Sequence, residues 1–386
     1  MTEPTSSKPM YEKIFDEVKE SILTQAYQLG ERVPSEKELA DTYNVSRITS
    51  KKALEMLAAE HLIVRKPGRG SFVADPAAES QELAAAADTG RTAINTEEKT
   101  IGLIITDFGN SYGTGLIYGM EQASRDNDCF LVLRRTFGIP ENEEQSIQKL
   151  LNLGVDGLII FPAQGEYFNA EILKLVIDRF PLVLVDRHLK GVAAASISSD
   201  NLQAALEATE YLFDLGHTHI SFLSPPPVDT TAVEDRIEGF IQAHAQRGIM
   251  VDKELWVSDL TSTLPKFFNQ DNIERDITRL ISHLESHPSI TALFAIEYNI
   301  ALLAKTAVER LGLRIPEDIS IICFDSPPTH LGGGYSFTHM RQNEEEMGRI
   351  AVENVLSLMN GQPVPNKVML DAKLIPGSST GPASHK

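Results

Sequence analysis

Residues 34–73 read PSEKELADTYNVSRITSKKALEMLAAEHLIVRKPGRGSFV. Ser35 and Glu38 stand in the S-x-x-E relation, in which each side chain can satisfy a free backbone donor of a helical first turn, so a helix is expected to open at Pro34-Ser35. Leu39, Ala40 and Tyr43 would face inward, and Asn44 supplies a tight turn. Ser46 is a suitable N-cap for a second helix over about residues 47–60, with Leu54, Leu57 and Ala58 as its buried side. A hairpin is expected next. Leu62 to Arg65 runs out, Lys66-Pro67-Gly68-Arg69-Gly70 forms the tip and Ser71 to Val73 returns, with Gly68 and Gly70 free to take positive φ. Upstream, Ile14, Phe15, Val18, Ile22 and Leu23 recur at three-and-four spacing within residues 10–27, the mark of an amphipathic helix, and Gly30 follows as a left-handed cap. Capped helix, tight turn, basic helix and glycine-rich wing is the order of a winged helix-turn-helix, a module that sets one helix in the DNA major groove.

The charge of the chain supports this reading only once it is divided. The 386 residues carry a formal net charge of -19, which is unpromising for a nucleic-acid binder. Residues 1–74, however, hold eleven basic and eleven acidic side chains, and the remainder holds 24 basic and 43 acidic ones, so the whole acidic excess lies outside the candidate module. Within residues 45–70, Arg47, Lys51, Lys52, Arg65, Lys66 and Arg69 face only Glu55 and Glu60. A local basic face suits phosphate contact, while an acidic body discourages non-specific binding.

Arg47, Thr49, Ser50 and Lys51 fall at the start of the basic helix, the end that meets base edges in docked helix-turn-helix proteins. Arg47 could hold guanine bidentately, Thr49 and Ser50 could reach bases or phosphates, and Arg69 between two glycines is placed for a phosphate or the minor groove. Over residues 10–74 these features resemble the GntR family of bacterial regulators. The resemblance implies DNA contacts by Ser35, Lys37, Arg47, Thr49, Lys51, Lys66, Arg69 and Gly70. The expected organisation is a DNA-binding domain over residues 1–74, a linker over residues 75–99 and an effector-binding domain over residues 100–386. The linker is rich in Ala, Glu, Thr and Ser, with one short helix expected from Glu79 to Ala87.

From Thr100 onward apolar strands alternate with helices. Ile101–Thr106, Phe130–Leu133, Gly157–Phe161, Leu182–Val185, His219–Leu223, Thr291–Ala295 and Ile319–Phe324 read as strands, with helices over 114–127, 141–153, 169–178, 201–215, 233–247, 271–286 and 299–311. Continuous apolar strands between helices mean an α/β architecture, a parallel sheet covered on both faces. A body of this length is expected to divide into two lobes, with ligands bound beyond the carboxyl ends of the strands.

The segments IGLIITDFGNSYGTGLIYGMEQA, GVDGLIIFP, PLVLVDR, SSDN, LGHTHISFL, DRIEGF, LRIPEDISIICFD and MRQNEEEMGRIAVENVLSLMNG resemble, in order, the LacI/GalR regulators. The resemblance implies a type I periplasmic-binding-protein fold: two lobes, three chain crossings and a small ligand in the cleft. It places the lobes at about 100–199 with 344–364 and 200–341 with 365–380, and it implies a homodimer. A sugar requires planar polar side chains that each hold two hydroxyls, and an aromatic platform. Arg236, Asp325 and Asp186 match the family's effector-binding positions; Asp107, Arg187 and Gln342 are further cleft residues, and Tyr112, Phe161 or Tyr298 could stack on a ring. Asp107 could instead cap the helix near residue 113. Glu297-Tyr298 stands where the family commonly has Asn-Asp, so the ligand cannot be taken from the family average. A GntR-type head on a LacI-type body is similar to the arabinose-responsive repressors of Gram-positive bacteria, which implies L-arabinose as the leading ligand.

Other classes fit less well. A solute-binding protein for uptake would need a secretory signal, and MTEPTSSKPMYEKIFDEV lacks an apolar run after a basic start. No stretch approaches the ~18 apolar residues of a membrane span. Cys129 and Cys323 each lie in an apolar run without ligand-spaced partners, so reduced thiols and a cytoplasmic location are expected. No G-x-S-x-G, H-E-x-x-H or phosphate-loop pattern occurs, and Gly332-Gly333-Gly334 lacks a strand-to-helix context, so no catalytic residue, metal or cofactor is expected.

Overall fold

The computed structural model describes residues 9–24, 26–60, 62–66, 70–74, 98–163, 169–227, 230–327 and 336–384. It divides into two compact units, residues 1–97 and 98–386. The expected linker helix, the wing tip at Pro67–Arg69 and the triple glycine at 332–334 lie outside the described residues.

In the first unit, α1 (Met10–Leu23), α2 (Glu36–Tyr43) and α3 (Arg47–Ala59) surround a core of Ile14, Phe15, Val18, Leu39, Ala53, Leu54 and Leu57. The capping box is present. Glu38 N–H donates to Ser35 Oγ at 3.2 Å and Ser35 N–H donates to the Glu38 carboxylate at 2.7 Å. Asn44 turns the chain in the left-handed conformation (φ 51°), which Asn tolerates better than most residues, and Ser46 Oγ accepts from Thr49 N–H at 3.3 Å to open α3. The wing strands β2 (Ile63–Lys66) and β3 (Gly70–Val73) pair antiparallel. They gain a third strand that the periodicity did not reveal, β1 (Arg32–Val33), paired with β3.

The second unit holds two sheets. Lobe 1 is built on β4 (Lys99–Ile105), β5 (Cys129–Arg135), β6 (Gly157–Ile160), β7 (Leu182–Val185), β8 (Ala195–Ser199) and, much later in the chain, β13 (Lys367–Leu370). Their order is β13-β8-β7-β6-β4-β5 and every neighbouring pair is parallel. Both faces are apolar. Leu103, Ile159 and Val183 pack to one side with Met120 and Val352, while Ile104, Leu158 and Leu184 pack to the other with Ile147 and Ile172. Lobe 2 is built on β9 (Ile220–Leu223), β10 (Ala292–Ala295), β11 (Ser320–Phe324), β12 (Thr338–Arg341) and β14 (Lys373–Ile375). The order is β14-β12-β11-β10-β9, parallel except for the β12–β14 edge. The chain therefore crosses between lobes after β8, after β12 and after β13. The last crossing corrects the expected boundary, since residues 367–370 complete the lobe 1 sheet rather than joining lobe 2.

Helices α4 (Thr114–Asp126) and α11 (Glu344–Met359) cover lobe 1 together. Their crossing is close because Gly119 faces the Glu345 carbonyl and Gly348 faces the Leu116 carbonyl. A Cβ on either would lie 1.9 Å and 2.3 Å from those oxygens. The remaining helices are α5 (Pro140–Leu153) and α6 (Ala170–Ile177) in lobe 1 and α7 (Asn201–Asp214), α8 (Thr231–Arg247), α9 (Gln270–Ser286) and α10 (Tyr298–Arg310) in lobe 2. Cys129 and Cys323 are free and buried, and burial pushes both thiols up. No helix among the described residues is long and apolar enough to cross a membrane.

Candidate nucleic-acid interface and interlobe cleft

In the first unit the opening of α3 sorts the expected contacts. Arg47 and Lys51 are exposed, as is Lys37 on α2; Thr49 and Ser35 are partly exposed. Ser50 is not available. Its side chain is fully buried and its hydroxyl donates to the Glu36 carbonyl at 2.7 Å and the Arg47 carbonyl at 3.1 Å, tying α3 to α2. The expectation that Ser50 reaches DNA is corrected accordingly; the helical phase turns it into the core. The same phase brings out Ile48, which is 81% exposed beside Arg47. An exposed branched apolar side chain here is the chemistry that meets a thymine methyl. The available signal was its place off the Leu54–Leu57 stripe. Lys51 is 3.7 Å from Glu55, and Arg65 pairs with Glu36, so part of the basic charge is already balanced. Gly70 takes φ 114° at the start of β3; the side chains of Lys66 and Arg69 lie outside the described residues.

In the second unit, the carboxyl ends of the strands meet at a cleft of about 570 Å³ between the lobes. Its lining includes all ten expected ligand residues, namely Asp107, Tyr112, Phe161, Asp186, Arg187, Arg236, Glu297, Tyr298, Asp325 and Gln342. Asp186 and Asp325 both leave their strands in the left-handed region (φ 69° and 60°), which aims each carboxylate at the cleft while its N–H continues the sheet, to the Ile197 carbonyl at 2.9 Å and the Met340 carbonyl at 3.0 Å.

Arg236 is the central cation. It is 7% exposed, donates from Nε to Asn201 Oδ1 at 2.8 Å and from Nη1 to the Ile296 carbonyl at 2.5 Å, and its guanidinium lies 3.7 Å from the centre of the Phe324 ring. Tyr112 donates to Asp186, and Arg187 Nε lies 3.4 Å from the same carboxylate. The Arg187 guanidinium covers Phe161 at 4.8 Å, so Phe161, 4% exposed, supports the floor from beneath. Tyr298 is set edge-on to Phe337 at 5.9 Å. Gln342 donates to Asp325 Oδ2 at 2.9 Å and accepts from Ser199 Oγ at 2.6 Å, which links the ends of β11 and β8 across the lobes. Asn201 is legible as a polar residue just beyond a strand end, whereas Ser199 and Thr263, small polar residues with no pattern of their own, were missed from sequence.

Asp107 does not cap α4. Its carboxylate accepts from Phe108 N–H at 2.9 Å and pairs with Arg135 at 3.3 Å. The cap comes from Glu344 on α11, whose Oε2 accepts from Gly113 N–H at 2.7 Å. Burial raises Glu344 above the usual carboxylate range, and the backbone donors of α4 oppose that rise.

More carboxylates than cations share this space. Burial pushes Asp325 up to about 8, against the pull of Arg236, with Glu344 and Asp186 adding to the rise. Burial likewise raises Glu297, opposed by Thr263, Arg236 and Arg187, and raises Tyr112 beside Asp186. Arg187 Nη1 and Glu297 Oε1 are buried without a hydrogen-bond partner. A buried donor and a buried acceptor left open at the same cavity are what a polyhydroxylated ligand would complete. A larger hollow of about 1040 Å³ opens on the far side of Asp325 and Gln342, past Tyr118, Arg341 and Glu344. Its lining includes neither Arg187 nor Glu297, which carry these two open atoms, so the smaller cleft is the candidate ligand site. Among the described residues no group of His, Cys, Asp or Glu is arranged to hold a metal ion.

Comparison with known proteins agrees with both halves. Residues 10–73 match the family model of bacterial regulatory proteins of the gntR family, and residues 209–380 match that of the periplasmic binding protein-like domain. An arabinose metabolism transcriptional repressor of Geobacillus stearothermophilus is 26% identical over 359 residues, covering 92% of this chain and 93% of its own. The ribose operon repressor of Haemophilus influenzae is 28% identical over 268 residues, covering 67% of this chain and 74% of its own. The crystal structure of the transcription regulator CcpA of Lactococcus lactis superposes with a TM-score of 0.64 at 21% identity, covering 74% of this chain and all of that one. The chain thus joins a GntR-type winged helix-turn-helix to a two-lobed periplasmic-binding-protein-like domain of parallel sheets.

Proposed function

We propose that this chain is a transcriptional repressor of sugar-utilisation genes, acting in the cytoplasm and controlled by a sugar bound between the lobes of its second unit. The observation that carries the reading is the pairing, in one chain, of an exposed Arg47–Ile48 helix start with a buried cleft whose Arg187 Nη1 and Glu297 Oε1 await partners. The relatives support it, because the similar full-length proteins are repressors of sugar metabolism. In this reading Arg47, Thr49, Lys51, Ser35, Lys37, Lys66, Arg69 and Gly70 hold operator DNA, with Arg47 and Ile48 reading bases. Arg236, Asp186, Arg187, Glu297, Asp325, Asp107 and Gln342 address sugar hydroxyls, with Tyr112 and Tyr298 as ring platforms above Phe161. L-arabinose is the first sugar to test, on the strength of the arabinose repressors' similarity along nearly the whole chain.

Sugar binding alters operator affinity only to the extent that it favours one lobe closure over another. The protein acts as a homodimer on a palindromic site, each protomer supplying one recognition helix. The test is a gel-shift assay with fragments from upstream of sugar-utilisation genes, titrated with a sugar panel. Retention of a fragment and its release by one sugar at micromolar to millimolar concentration is the expected result. Failure to retain any fragment, or retention indifferent to every sugar, would refute the reading.

A further inference from the structure

We infer that the cleft is shaped for a carbohydrate of two linked units rather than one, the first held on the buried floor and the second at the mouth. This rests on the sugar reading above and narrows its substrate class.

The cleft sets a related grouping of residues on its floor and at its mouth, the second backed by Arg135 from outside the lining. On the floor, the Phe161 ring, the Arg187 guanidinium at 4.8 Å and the Asp186 carboxylate 3.4 Å from that arginine form a ring–guanidinium–carboxylate set. At the mouth, the Phe137 ring, the Arg135 guanidinium at 4.2 Å and the Asp107 carboxylate 3.3 Å from that arginine form a second. On the floor the Arg187 guanidinium covers Phe161 and presents charged edges for sugar hydroxyls, whereas at the mouth the Phe137 ring offers an apolar face for the C–H side of a sugar ring with Asp107 beside it.

The two sets differ in exposure. Asp186 and Arg236 on the floor are each 7% exposed, whereas Phe137 is 42% exposed and Phe268, across the mouth on lobe 2, is 65% exposed. Phe137 is also held in place against its own preference. It takes φ 57°, unusual for a bulky side chain, and its N–H donates to the Thr106 carbonyl at 2.7 Å. A cavity of about 570 Å³ lies within the range used by drug-sized ligands, and Phe137 and Phe268 both line it with largely exposed rings. A second ring linked to the first would cover both.

The test is calorimetric titration of the full chain with free L-arabinose, D-xylose, D-galactose and D-glucose, each alongside disaccharides that carry it at the non-reducing end. At least one disaccharide is expected to bind ten times or more tightly than its free sugar. Phe137→Ala and Phe268→Ala should each reduce that preference about five- to tenfold, the scale of one aromatic contact. Phe268 is exposed at the end of a short 3-10 turn, outside the core, so its variant keeps the test valid even where Phe137→Ala fails to fold. A free sugar that binds as tightly as its best disaccharide, or a preference untouched by the Phe268 substitution, overturns the inference while leaving the sugar reading standing. Binding of no carbohydrate of either size overturns the sugar reading itself.

Discussion

Arg47 and Arg236 are the same residue put to opposite uses. Arg47 projects from the first turn of α3 into solvent, within the stretch of residues 1–74 whose charge is balanced. Arg236 is sunk in lobe 2, two of its donors committed to Asn201 and the Ile296 carbonyl, in a unit that carries most of the acidic excess. A surface that reads a long polymer must leave its groups uncommitted until the polymer arrives. A cavity that recognises a small molecule must hold its groups rigid beforehand, and so pairs them with one another. The contrast predicts that substitutions in the first unit act on binding alone, while substitutions in the second act on binding and stability together.

The largest effect is expected from Arg236→Ala. Removing a buried cation leaves Asn201 Oδ1 and the Ile296 carbonyl without their donor and the nearby Asp325 and Asp186 without its positive field, which should destabilise the second unit by about 3–5 kcal/mol. The single tryptophan, Trp256, packs against Phe222 and Phe240 in lobe 2, so urea unfolding followed by its fluorescence reports that unit. Sugar response should be lost in the same variant. An unchanged midpoint would break the claim that recognition here is built from structural pairs.

Arg47→Ala should be the cleaner lesion. Loss of one bidentate base contact weakens operator binding by about 1–3 kcal/mol per half-site, roughly tenfold or more. Fluorescence anisotropy with labelled operator measures the loss, and calorimetry should show sugar affinity intact. A fall in sugar affinity would join what the two units keep apart.

The smallest effect sharpens the picture of the cleft. Native Asp325, raised to about 8, keeps a proton that the unfolded chain releases near its ordinary 3.8. Its contribution to stability is therefore full below about pH 4 and is lost as pH rises to about 8. The ligand-free Tm read from Trp256 should decline across that window. Asp325→Asn, which cannot ionise, should flatten the decline; an identical slope in the variant would place the proton elsewhere.

The two regions were also unequally legible in the sequence. The capping box at Ser35–Glu38, the Asn44 turn and the Ser46 cap are local chemistry, so each could be found within four residues of its partner. The alternation of strands and helices in the second unit was legible for the same reason, since burial on both faces writes continuous apolar runs. What escaped was assembled over distance. Strand β1 has two residues and exists only through β3. Strand β13 pairs with β8 across some 170 positions, and nothing near Lys367 marks the lobe to which it belongs. Ser50 was misplaced because a hydroxyl in a basic helix start reads as a surface group until the helical phase is fixed by α2. The cleft residues were named from resemblance, but the sharing of Asp186 by Tyr112 and Arg187 required the fold.

The crossing from β12 to α11 couples the cleft to the helices of lobe 1. Gln342 grips Asp325 and Ser199 in the cleft, and Glu344, two residues on, grips the first amides of α4. Between them lies only Asn343. That segment is a short crank: whatever turns Gln342 must turn the seat of α4, and Gly119 and Gly348 clasp α4 to α11 too closely for either helix to slip alone. By these contacts, a molecule that displaced the carboxamide of Gln342 would be expected to carry the α4–α11 pair of lobe 1 with it as one piece.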